Sequence, residues 1–206
     1  MIQIAIFASG NGSNAAKIIE HFKLQKDVSF VVLSNNANAF VIERAKRLGV
    51  EVAVFEKNEL YKTGSVLQFL ECKEIDLIVL AGFMWLIPSS FVQAFPNQIV
   101  NIHPALLPKY GGKGMYGDNV HRAVIENKET QSGITIHMVN EEYDEGQIIF
   151  QEKVQIDPKD TAEILAHKIH ALEHLYYPLI IEELVEEIRQ KRNQEEEQQE
   201  EITEEE

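Results

Sequence analysis

The stretch "IQIAIFASGNGSNAAKIIEHF", residues 2–22, changes character halfway. A β-branched apolar run stops at Ser9, the turn residues Gly10, Asn11 and Gly12 follow, and apolar positions at helical spacing begin near Ser13. This reads as strand, glycine corner and helix, and the alternation repeats downstream. "VSFVVLS" precedes a predicted helix over 39–48, "EVAVF" precedes one over 59–72, and "IDLIVLA" leads through "PSSFVQAF" to "QIVNIH". Continuous apolar runs separated by helices are the pattern of a parallel sheet buried on both faces. After residue 130 the order changes: "SGITIHMV" and "GQIIFQEKV" read as strands joined by the short "NEEYDEG", and an amphipathic helix is predicted over 160–190.

The expected fold is therefore an α/β, open, mostly parallel Rossmann-like sheet, extended by antiparallel C-terminal strands and with helices on both faces. At 206 residues and 45% hydrophobic content, the chain can bury one substantial core, and a single domain is expected over 1–190. No run reaches the length of apolar residues that a membrane span requires, and the first apolar run lacks a basic leader, so a soluble, unprocessed chain is expected. The lone Cys72 cannot form an intramolecular disulfide and is read as a small buried thiol, which fits a reducing cytoplasm.

The net charge of −14 is concentrated at one end. Residues 195–206 hold eight Glu and no basic residue, and without them the body carries 25 acidic against 19 basic residues. Residues 191–206 are thus expected to be a solvated acidic tail, either disordered or a frayed extension of the last helix. The body shows no dense basic stripe, which argues against a nucleic-acid partner.

In a parallel sheet the first strand delivers the chain to the carboxyl edge, and the next helix points its positive N-terminus into the crevice there. Gly10 and Gly12 let the backbone approach an anion, and Ser13 and Asn14 add donors. The spacing is neither G-x-G-x-x-G nor G-x-x-x-x-G-K-[ST], which demotes a nicotinamide dinucleotide and ATP. A small monophosphate and a plain strand-to-helix turn both remain compatible with the corner.

The stretch "QIVNIHPALLPKYGGKGMYG", residues 98–117, is the second informative one. Asn101 and His103 lie two apart at the end of a strand, so their side chains share a face. An amide donor and a titratable imidazole suit acyl chemistry; a surface histidine beside a proline-ended strand is the plainer alternative. No nucleophile elbow, H-E-x-x-H or paired C-x-x-C is present, so a covalent or zinc mechanism is not expected, and no metal is.

"SGNGSN", "LAGFMWLIP", "NIHPALLPKY", "SGITIHMVNEEYDEGQIIFQ" and "HALEHLYYPLII" occur in the order and approximate spacing of the phosphoribosylglycinamide formyltransferase family, which the chain resembles over residues 1–188. The resemblance implies transfer of a formyl group from 10-formyltetrahydrofolate, as co-substrate, to the amine of glycinamide ribonucleotide in purine (IMP) synthesis. It implies Asn101, His103 and Asp144 as the catalytic residues, with His137 in support. It further implies that Gly12, Ser13 and Asn14 bind the ribonucleotide phosphate and that Pro104 and Glu173 contact the glycinamide end. Leu107-Pro108 matches a bond that is cis in relatives. The folate is expected against Phe83, Met84, Trp85, Leu86 and Ile87, the loop residues Val139, Asn140, Glu141, Glu142 and Tyr143, and apolar walls from Val92 and Ile99. The expected assembly is a monomer or weak homodimer without nucleic-acid or membrane partners.

Three positions depart from the family pattern. Trp85 stands where relatives commonly carry arginine, "GGKGMYG" forms a longer glycine-rich loop near the site, and Lys57-Asn58 stand near where relatives place a phosphate-contacting arginine. His167, His170 and His174 are read as a solvated helix face. A formyltetrahydrofolate deformylase is the alternative within the superfamily; it is disfavoured because the first strand begins at Ile2, leaving no N-terminal regulatory domain. A tRNA formyltransferase is disfavoured by the lack of basic surface. A non-catalytic phosphate-binding module would have no use for Asn101, His103 and Asp144 together.

Overall fold

The computed structural model describes residues 1–204, with side chains described through residue 199. Strands β1 (Ile2–Phe7), β2 (Val28–Ser34), β3 (Glu51–Val54), β4 (Leu77–Leu80), β5 (Ile99–His103), β6 (Gln131–Met138) and β7 (Ile148–Gln155) build one seven-stranded sheet. Their spatial order is β3-β2-β1-β4-β5-β6-β7; β3 through β5 run parallel, and β6 and β7 are antiparallel.

The apolar continuity of β1 has a direct cause. Ile2, Ile4 and Ile6 enter one core layer while Ala5 and Phe7 enter the other, so both faces of the strand are dry. Full burial of each such Ile or Phe contributes about 1.5–3 kcal/mol. The first layer is closed by α1 (Ser13–His21), α2 (Phe40–Arg47), α5 (Asp118–Glu126) and α6 (Ala162–Glu204), through side chains such as Ile18, Val41, Val120 and Ile181. The second is closed by α3 (Ser65–Cys72) and α4 (Ser89–Ala94), through Val66, Leu70 and Phe91.

The chain winds from β1 outward through β2 to β3, then crosses back to place β4 on the other side of β1. The connections leaving the carboxyl ends of β1 and β4 therefore diverge, and a crevice opens between them. Tyr177 of α6, fully buried, fastens the helix under this point: its hydroxyl donates to the carbonyls of Leu80 at 3.0 Å and Val100 at 3.3 Å.

Several elements differ from the sequence reading. The helix predicted over 59–72 is interrupted at Gly64, whose φ of 71° is left-handed, so a wide helical turn (Glu59–Thr63) precedes α3. Helix α5 follows the glycine loop, where no helix was predicted. Cys72 is exposed rather than buried, because the buried stripe of α3 is set by Val66 and Leu70 and a position two residues beyond Leu70 falls on the opposite side. Residues 191–204 continue α6 as a helix, whereas Glu205 and Glu206 lie outside the described residues. No helix among the described residues is long and apolar enough to cross a membrane.

Candidate active site

Strand β5 carries Asn101 and His103 to the carboxyl edge, and β6 pairs against it with Asn101 opposite His137 and His103 opposite Thr135. The next turn is held by Thr135, whose hydroxyl donates to the Ala105 carbonyl at 2.7 Å and accepts the Leu107 N–H at 3.0 Å; Leu107-Pro108 is cis. The connection from β6 to β7 then brings Asp144 back over β5, with a left-handed φ of 58°. The Asn101 amide stands 3.4 Å from Asp144 Oδ1, and His103 Nδ1 stands 3.4 Å from Asp144 Oδ2.

Hydrogen bonds define the tautomers. His137 Nδ1–H donates to the Met138 carbonyl at 2.8 Å, so the bare Nε2 accepts the Asn101 amide at 3.1 Å and fixes its orientation. His103 differs, since Nε2 faces the Tyr110 carbonyl at 2.8 Å while Nδ1 faces the Asp144 carboxylate. Both acceptors are satisfied only when both ring nitrogens carry hydrogen. Burial by itself would raise the Asp144 carboxyl; hydrogen bonding to His103, the His103 charge and the Gly112 N–H at 2.9 Å outweigh it and hold the group well below the usual carboxylate range. Gly111 permits this approach, because a Cβ there would lie 2.6 Å from Leu107 Cδ2 and 3.2 Å from Asp144 Cβ.

The glycine corner is built against α2. Gly12 has a φ of 73°, and a Cβ on it would lie 2.3 Å from Val41 Cγ2 and 2.8 Å from Val41 Cα. Arg44 clamps the corner from behind, donating through Nε to the Asn11 carbonyl at 3.0 Å and through Nη2 to Asn11 Oδ1 at 2.9 Å. Asn14, in the first turn of α1, donates its amide to Glu173 Oε2 at 3.0 Å, while its own Oδ1 is buried without a partner. Glu173 is buried, and burial pushes its carboxyl up despite the Asn14 bond.

These parts face one cleft of about 630 Å³, within the range of small-molecule sites. Its wall includes Gly12, Ser13, Asn14, Asn101, His103, Pro104, His137, Asp144 and Glu173. Phe83, Met84, Trp85, Leu86, Ile87, Val139 and Tyr143 give the wall its apolar part, with Glu142 beside Tyr143. Trp85 sits in an aromatic group, with ring centroids 6.2 Å from Phe55, 6.2 Å from Phe83 and 6.3 Å from Tyr61.

Four expected folate contacts lie off this wall. Ile99 is fully buried in the second core layer with Val92 packed against that layer, because the side of β5 that carries Ile99 is covered by α4. Asn140 and Glu141 also stand off it, with Asn140 Oδ1 turned to accept the Glu142 N–H at 3.0 Å. Lys57 is off the wall too, its ammonium 6.0 Å from the Tyr61 ring centroid.

Sequence reading missed Lys113, Met115 and Tyr116 of the glycine loop, and His121 and His170, all on the wall. His170 is thus a cleft residue and not merely a solvated one; its ring lies 6.4 Å from that of His121 in α5. Burial, reinforced by His170, lowers His121 to about 4, so it is neutral at pH 7, and its Nδ1 has no partner. The available signal was Val120 and Val124 at helical spacing after Gly117, which places His121 on the buried side of a helix.

A Rossmann-like sheet with an amide, an imidazole and a carboxylate converging at its carboxyl edge defines a class: residues 2–181 match the formyl transferase family, and the chain belongs to it. Within that family it is similar to phosphoribosylglycinamide formyltransferases. The one from Bacillus subtilis (strain 168) is 38% identical over 90% of this chain and 95% of its own length. The chloroplastic one from Arabidopsis thaliana is 41% identical over 90% of this chain, which spans 66% of that relative's length. The crystal structure of phosphoribosylglycinamide formyltransferase from Streptococcus pneumoniae TIGR4 superposes with a TM-score of 0.80 at 38% identity, covering 90% of this chain and 99% of that one.

Proposed function

We propose that this protein transfers the formyl group of 10-formyltetrahydrofolate to the amine of phosphoribosylglycinamide in purine synthesis, by direct attack. The observation that carries the reading is the convergence of Asn101, His103 and Asp144, with His103 Nδ1 and the Asn101 amide each 3.4 Å from the same carboxylate. The activity named for the similar enzymes supports the choice of donor and acceptor.

In this reading the acceptor's phosphate meets Gly12, Ser13 and Asn14 at the N-terminus of α1, while Pro104 and Glu173 border its glycinamide end. The formyl folate lies along Phe83, Met84, Trp85, Leu86, Ile87, Val139, Glu142 and Tyr143, where the cleft is apolar enough for a flat heteroaromatic group. The neutral amine attacks the formyl carbon, forming the new C–N bond and leaving negative charge on oxygen and positive charge on nitrogen. Asn101 donates its amide to that oxygen, its orientation fixed by His137. His103 donates from Nε2, where the substrate oxygen takes the place of the Tyr110 carbonyl, because Nδ1 is held by Asp144. Asp144 favours the imidazolium and organises movement of the proton from the attacking nitrogen to the leaving folate nitrogen, whose bond to carbon then breaks. A cytoplasmic setting belongs to the same reading.

The test is folate product formed from 10-formyltetrahydrofolate with and without glycinamide ribonucleotide, in wild type and His103→Ala. Product dependent on the ribonucleotide and abolished by the substitution is expected. Equal product without acceptor would instead identify a deformylase.

A further inference from the structure

The glycine loop between the cis proline turn and α5 carries a lysine that the mechanism above does not use. Lys113 is flanked by Gly112 and Gly114, with φ of 94° and 90°, and the turn is pinned on both sides. On one side the Gly112 N–H donates to Asp144 at 2.9 Å; on the other, Asn119 at the start of α5 donates its amide to the Gly114 carbonyl at 3.1 Å. The turn is therefore held at the cleft mouth by the carboxylate that faces His103.

Charge makes this placement consequential. The cleft wall carries carboxylates from Glu142, Asp144 and Glu173, and among the described residues Lys113 is its single lysine or arginine. Its side chain is exposed and has no ion pair or hydrogen bond among the described residues. A phosphate dianion entering a cleft lined by carboxylates needs a countercharge; at the glycine corner the Arg44 guanidinium is engaged by Asn11 and stands off the wall, which there presents N–H groups and neutral side chains.

A chain of contacts links the loop to the corner. The loop runs into α5, whose His121 faces His170 of α6, and one turn further along α6 Glu173 accepts the amide of Asn14. Asn14 Oδ1 and His121 Nδ1, both on residues that line the cleft, are buried without partners; the amide oxygen accepts, so it suits a ligand hydroxyl beside the phosphate and not the phosphate itself.

We propose that Lys113 is the countercharge for the acceptor's phosphate, closing from the loop the anion site that Gly12, Ser13 and Asn14 open from the sheet edge. This inference rests on the acceptor assignment above. It assigns to the "GGKGMYG" loop a binding role, with Lys113 setting the preference for a phosphorylated over an unphosphorylated acceptor.

The test uses the full chain with Lys113→Ala and Lys113→Arg, whose site is exposed so that folding is retained. Two quantities are read: the KM for each substrate in formyl transfer, and the affinity for ribose 5-phosphate by calorimetry, which needs no turnover. Lys113→Ala should raise the ribonucleotide KM and weaken ribose 5-phosphate by about tenfold or more, as loss of a charged hydrogen-bond partner does. The formyl-folate KM and kcat should stay within about twofold, and Lys113→Arg should recover most of the loss. Unchanged ribose 5-phosphate affinity in Lys113→Ala, or a rise confined to the formyl-folate KM, would overturn the proposal. Wild type that binds ribose 5-phosphate in a Lys113-dependent way yet transfers no formyl group would keep this inference and remove the formyl-transfer reading.

Discussion

His103 Nδ1 stands 3.4 Å from Asp144 Oδ2, while the other nitrogen of the same ring meets the Tyr110 carbonyl at 2.8 Å. Each ring nitrogen thus faces an acceptor, and the carboxylate on one side is itself held ionised. This relationship makes stability and chemistry depend on one residue.

Asp144 should therefore leave a signature in acid. Its folded-state pKa is depressed, so its contribution to stability is present above the ordinary carboxylate value and lost as pH falls toward the lower folded value. The gap in urea midpoints between wild type and Asp144→Asn should be largest near about pH 5–7 and narrow progressively as pH falls below about 4. A gap that widens in acid would contradict this sign.

Asn101→Ala removes one donor to the developing oxyanion and leaves His137 Nε2 without its amide partner. Turnover should fall by about 10²–10³. Thermal unfolding should show a folded protein, since Asn101 is half-buried at the end of its strand and not part of either core layer. Near wild-type kcat would remove Asn101 from the mechanism.

Gly12→Ala would force a Cβ to 2.3 Å from Val41 Cγ2 and 2.8 Å from Val41 Cα while φ stays left-handed. The backbone of α2 blocks the simple escape, so the corner must open. A loss of about 1–3 kcal/mol in stability is expected, together with a raised ribonucleotide KM and a smaller change in kcat. Unaltered affinity for the ribonucleotide would show that the corner does not hold its phosphate.

Trp85 is the only tryptophan in the chain and lines the apolar end of the cleft. A folate ring lying against it should quench and shift its emission, in proportion to site occupancy. Ribose 5-phosphate alone should leave the emission nearly unchanged, because that ligand occupies the other end. Folate binding that leaves Trp85 emission unaltered would place the folate elsewhere.

Most of the fold was legible because burial writes directly into periodicity. The apolar runs of β1 and β4 and the paired apolar steps of α1 follow from which faces are covered. The failures have equally local causes. Gly64 breaks a helical pattern because only its backbone conformation, and not its neighbours' polarity, signals the interruption. Helix α5 hides behind a run of glycines, and Cys72 was misread because the stripe of a short helix was set by two other residues.

For the site, the sequence by itself determined the glycine corner and placed Asn101 and His103 on one face, because both depend on geometry within a few residues. The motif order carried Asp144 and Glu173 only as a resemblance. Tertiary structure alone decided that Asp144, 43 positions from Asn101, returns to it, and that Glu173, 159 positions from Asn14, accepts its amide. It alone set Lys113 over the cleft and turned Ile99 into the core. Pattern along a chain reports which side of an element is dry; which residues meet is set by strand order, crossovers and helix docking, and a charge or hydrogen bond acts only at the distance these produce.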